Sequence, residues 1–112
     1  MHVSRAPLDP DTGWRRFTRR RDGMTHALEG GLWLHPFVLR GERMAHLVSS
    51  DRESLLRAGR RLGLDPAWLQ HKPLKHPRHG ARVDAWHWDL RGRYLALAVE
   101  LAVPPGASPG SS

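Results

Sequence analysis

His87 and Asp89 stand two residues apart in His87-Trp88-Asp89, so on a β-strand both side chains leave the same face. A carboxylate beside an imidazole orients the ring and selects its tautomer, as around metal-ligating and acid–base histidines. His46 is the one polar residue in the run Met44-Ala45-His46-Leu47-Val48, and would join the pair if its strand lay next to theirs. Converged, His46, His87 and Asp89 would bind a divalent cation such as Zn²⁺ or Mn²⁺, or move protons. The competing reading is structural: a local hydrogen-bonded pair closing a strand, and a half-buried histidine bonded to backbone. Neither the x-His-x-Asp spacing nor a lone histidine has the specificity of a closed ligand set.

A second chemistry lies between residues 71 and 82, where Lys72, Lys75, Arg78 and Arg82 occur with no acid among them. Trp86 and Trp88 follow directly. Cations with neighbouring aromatics suit phosphate-backbone contact and base stacking; the plainer reading is a solvated basic loop, with at least one tryptophan packed in the core. His71, His76 and His79 match no standard ligand spacing, and Pro73 and Pro77 oppose the helix that would align them. The chain's net charge is +7, and the 71–82 segment supplies more than half of it. The leading expectation is a basic accessory domain contacting nucleic acid or a nucleic-acid-bound partner. The alternative is a metal-assisted or acid–base enzyme, a hydrolase for example, using His46, His87 and Asp89.

Other classes find no support. The chain has no cysteine, hence no disulfide or thiolate site, and no P-loop, GxGxxG, HExxH or GxSxG motif. The longest apolar run, Tyr94 to Val103, is too short to span a bilayer and contains Glu100. With no apolar segment behind the N-terminal arginines, the expectation is a soluble, cytoplasmic protein without a membrane partner.

Positioning these residues requires a scaffold, and 112 residues allow one domain. Residues 1–31, with the cluster Arg15-Arg16-Phe17-Thr18-Arg19-Arg20-Arg21, show little hydrophobic periodicity and read as an unpacked basic extension, with Met24 as an alternative start. Residues 104–112 read as a disordered tail. Between them, 32–39 is extended but interrupted by Pro36, so it is an edge strand or two short pieces. Gly41-Glu42 suits a two-residue hairpin turn, and Arg43 to Val48 reads as a central strand. Ser50-x-x-Glu53 is a capping box opening a helix whose stripe is Leu55, Ala58, Gly59 and Leu62, with Gly63 as its left-handed stop. Asp65-Pro66 caps a short turn, 71–80 is a loop, and Arg82 to Asp89 a strand. Arg91 to about Leu101 reads as a helix packing through Tyr94, Leu95, Ala98, Val99 and Leu101, although its odd-numbered residues also alternate like a strand. The fold expected is a small α/β domain, α+β-like, with a hairpin in a short sheet and two helices.

Several of these residues, in this order, resemble one family: Met44-Ala45-His46-Leu47-Val48-Ser49-Ser50, Glu53-x-Leu55, Ala58, Leu62-Gly63-Leu64, Trp68-Leu69-Gln70 and His87-Trp88-Asp89-Leu90. The family is domain of unknown function 4031, small proteins of bacteria and phages, and the likeness spans about residues 32–103. It implies a strand ending in His-Leu-(Ile/Val), an acid-capped helix, a His-Tyr-Asp strand and a final helix to which Arg93, Ala98 and Val99 belong. It implies no known activity. This chain departs from the pattern where His35 replaces an Asp closing the first strand, where Ser50 replaces an Asp before the helix, and where Trp88 replaces the Tyr. It also carries a longer segment at 71–86.

Overall fold

Arg40 and Gly41 reverse the chain between β2 (Leu32–Leu39) and β3 (Glu42–Ser49), both with positive φ, 52° and 80°. That is the type I′ geometry, whose twist matches the flanking strands. The turn thus lies one residue before the Gly41-Glu42 expected from sequence: the glycine fills the second central position and Arg40 takes the left-handed conformation. Residues 13–104 are described in this computed structural model.

The hairpin is the middle of a five-stranded sheet in the order β1-β2-β3-β7-β4, with β1 (Trp14–Arg15), β4 (Gln70–His71) and β7 (Trp86–Leu90). β1 runs parallel to β2 and the other pairs are antiparallel. β3 is central, as expected. β2 is one continuous strand, and β1 flanks only Leu32 and Trp33. Pro36 therefore sits where β2 has become an edge, which tolerates a residue without an N–H.

Alternation then divides the side chains between two faces. Leu32, Leu34, Ala45, Leu47, Trp88 and Leu90 form one face and pack against α2 (Arg52–Leu62) and α3 (Gly92–Leu101). The stripe of α2 is the expected one, and Gly63 ends it at φ 79°. Its cap, however, is Asp51 rather than Ser50. The Asp51 carboxylate accepts from the Ser54 amide at 3.2 Å and the Ser54 hydroxyl at 2.8 Å, while Ser49 Oγ accepts from the Asp51 amide at 2.9 Å. A carboxylate with two local donors outcompetes the neighbouring hydroxyl. α3 is helical, not a strand, and buries Ala98 and Leu101, but Val99 points outward and is 43% exposed.

The largest departure is N-terminal. Trp14 is 1% exposed in the main core, its indole N–H donating to the Ala98 carbonyl at 2.8 Å, and its own carbonyl accepts from the Val103 amide at 2.8 Å. α1 (Arg20–Leu28) lies on the second face, where Ala27 joins Trp33 and Val48, with Phe17 and Met24 beside them. The domain thus runs from Trp14 to Val103, and a chain starting at Met24 would lack a core tryptophan. α1 escaped detection because it contributes small residues: an added Cβ on Gly23 would come within 2.1 Å of the Trp33 indole nitrogen. Tertiary packing, not an apolar stripe, holds such a helix.

The 71–80 segment is not a plain loop. Asp65 caps a 3₁₀ turn (Pro66–Trp68), β4 follows, and β5 (Leu74–Lys75) pairs with β6 (Arg82–Val83) as a separate small sheet. The expected strand 82–89 is accordingly split between two sheets. Among the described residues the domain is α+β, with three helices rather than two. No helix among the described residues is long and apolar enough to cross a membrane. Most of the expected tail, 105–112, lies outside the described residues, as do residues 1–12 of the expected extension.

Candidate functional site

The register between β3 and β7 decides the site. His46 stands opposite Asp89, and Val48 opposite His87, so both histidines and the carboxylate emerge on the second face. Asp89 Oδ1 lies 3.1 Å from His46 Nε2 and 3.5 Å from His87 Nε2. The two rings are 4.8 Å apart between centroids. One ligand atom from each of the three falls within 4.8 Å of the others. Ligands about 2.1 Å from a tetrahedral ion stand about 3.4 Å from one another, close to the 3.1 Å and 3.5 Å that separate Asp89 from the two histidines.

Gln70 on β4, paired with His87, donates from Nε2 to the other carboxylate oxygen of Asp89 at 2.7 Å. That bond leaves Oδ1 turned toward the imidazoles, the orienting role outer partners play at metal sites. On the far side, the β2–β3 register puts His35 opposite His46. Its ring stacks on Trp33 with centroids 4.6 Å apart and lies 6.5 Å from that of His46. Phe37 packs on His46 at 4.6 Å.

A cavity of about 180 Å³ opens over this array. Its lining includes His35, His46 and His87, the apolar Trp33, Phe37 and Val48, and the cations Arg20 and Lys72. All three histidines have pKa values below the ordinary imidazole value. Burial is the main cause for each. The Arg20 charge adds to it at His35, and the charges of His87 and Lys72 at His46. At His87, Asp89 pulls upward more strongly than Lys72 pushes down, and at His46 Asp89 likewise opposes the shift. The neutral imidazole so favoured is the form that coordinates a metal or accepts a proton.

The basic segment is brought together only in part. Lys75 and Arg82 are cross-strand partners on β5–β6, with Arg78 exposed in the connecting turn. Lys72 instead belongs to the cavity. Trp88 is 1% exposed, donates to the Leu55 carbonyl at 2.8 Å and fills the core, so it is no base-stacking residue. Trp86 is half-buried, its ring 5.1 Å from that of His71. Among the described residues the loop histidines form no shared ligand set. His71 meets Asp84 at 3.1 Å, while His76, only 4% exposed, stacks on His79 and reaches Glu29 at 3.2 Å. His76 Nδ1 accepts from the Arg78 amide, so the ring pins the small hairpin to the end of α1.

Arg20, Gln70 and a site role for His35 lie beyond what sequence reasoning found. For His35 a signal was present: a turn at Arg40–Gly41 pairs it with His46, whereas a turn at Gly41-Glu42 would have paired His46 with Phe37. No protein-family model, curated protein or solved structure matches the chain.

Proposed function

We propose that the chain is a metal-assisted hydrolase in which His46 Nε2, His87 Nε2 and Asp89 Oδ1 bind one divalent cation, Zn²⁺ or Mn²⁺. The observation that carries this reading is the convergence of three ligand atoms on adjacent strands, beside a walled cavity and with the carboxylate held from behind by Gln70. Two imidazoles and one carboxylate leave coordination positions for water, whose pKa such an ion lowers toward 7 while it polarises the bond under attack. Elemental analysis and equilibrium dialysis of the full, tag-free chain test it. One ion per chain is expected, lost in His46→Ala and His87→Ala, with chelator-sensitive hydrolysis of a nitrophenyl ester. Wild-type protein without stoichiometric metal would overturn the reading and leave the cluster a hydrogen-bonded His–Asp–His set.

A second reading, nucleic-acid contact, is favoured by the Lys75–Arg82 pair with Arg78 at the same hairpin. Three phosphate contacts predict a log–log salt slope near about −2.7 for duplex DNA. Fluorescence polarisation with duplex DNA, single-stranded DNA and RNA checks this, and no binding at about 50 mM salt removes it.

A further inference from the structure

We propose that the cavity beside His46 and His87 is a subsite for the phosphoryl group of a small phosphate monoester, gripped by Arg20 and Lys72, which line it together with His35. This rests on the hydrolytic reading above and names its substrate class.

The lining has two cations and three imidazoles and no carboxylate. Arg20 comes from the start of α1 and Lys72 from the link between β4 and β5. Both line the same cavity as His35, His46 and His87. Two other cations do pair with acids, Arg91 with Glu42 at 3.6 Å and Arg52 with Glu53 at 3.9 Å. Among the described residues no salt bridge joins Arg20 or Lys72 to a carboxylate. Two cations and a metal facing one cavity repel each other, and a dianion is the species that relieves this most.

The backbone holds the arrangement. The Lys72 amide donates to the Ala85 carbonyl at 2.8 Å, and Gly23 lets α1 approach Trp33 closely enough to bring Arg20 over the sheet. Trp33 and Phe37 in the lining lower the local dielectric, which strengthens charge-assisted hydrogen bonds to a phosphoryl oxygen. The cavity, about 180 Å³, accommodates a phosphoryl group. In the reaction, the oxygen of water bonds to phosphorus and the ester P–O bond breaks. The leaving oxygen takes a proton, and the products are an alcohol and inorganic phosphate.

The test is calorimetric titration of the full chain with inorganic phosphate and, separately, acetate, alongside metal stoichiometry on the same samples. Phosphate should bind with Kd on the order of 1 mM or tighter, and at least about tenfold more weakly in Arg20→Gln and in Lys72→Gln. Acetate should bind far more weakly, and Lys75→Gln and Arg82→Gln, which remove equal charge from the small hairpin, should match wild type. Thermal melts of all four variants control for folding. Wild type that ignores phosphate, acetate binding as tight as phosphate, or equal losses in the hairpin variants would each overturn the subsite. Metal bound without phosphate refutes the subsite and spares the metal reading; phosphate bound without metal does the reverse.

Discussion

The two faces of the sheet are built from the same strands in alternate positions, yet they do different work. On one, Leu34, Leu47, Trp88 and Leu90 meet α2 and α3 in a closed apolar core. On the other, α1 covers Trp33 and Val48 but stops short of His35, His46, His87 and Asp89, which stay half-buried or exposed. Full burial would force those polar groups into costly desolvation, and full exposure would leave them at ordinary pKa values with no walls around a ligand. The first face closes the core, and the second carries the proposed site.

Four substitutions can break or sharpen that contrast. Trp14→Ala should be the most costly, about 3–5 kcal/mol by denaturant unfolding, because it empties a buried ring site and removes its bond to Ala98. A neutral result would return residues 14–28 to the status of an appendage. Gly59→Ala should follow at about 1–3 kcal/mol, since its Cβ would lie 2.4 Å from Trp88 Cζ2 in the packed core. Asp51→Ala should cost about 1 kcal/mol through the lost helix cap, read as a lower unfolding midpoint at unchanged slope.

The smallest effect belongs to the second face and depends on pH. His35, His46 and His87 have folded pKa values below 6.5, mainly through burial. Above that value both folded and unfolded chains carry them neutral. As pH falls below it, the unfolded chain binds protons first, so stability declines toward the folded values. His35→Gln should therefore change stability little near pH 7 and flatten the decline as pH falls below the ordinary imidazole value, measured by thermal melts without added metal. A decline as steep as wild type would show that His35 does not share in this proton linkage.

Much of the core face was legible because its signals are local. Leu55, Ala58, Gly59 and Leu62 recur at helical spacing, Gly63 marks a left-handed stop, and His87 and Asp89 share a strand face by parity alone. The shifted hairpin turn and the Asp51 cap were misplaced by a single residue, since adjacent residue types compete for one geometric role. α1 was invisible for a different reason: its buried residues are Gly23, Ala27 and Leu28, too small and too few to stand out among arginines. Trp88 illustrates the limit on chemistry, because an aromatic beside cations has the same sequence signature whether it stacks on a base or fills a core.

From the sequence alone came the pairing of His87 with Asp89, the strand carrying His46, and the capped helix behind them, all set by backbone periodicity within a few residues. Tertiary structure alone decided that His46 faces Asp89 across β3 and β7, that Gln70 and His35 flank them, and that Arg20 and Lys72 meet over one cavity. Those juxtapositions join residues up to 67 positions apart, from Arg20 to His87 in one cavity lining, and depend on strand order, register and helix docking, which no local spacing encodes.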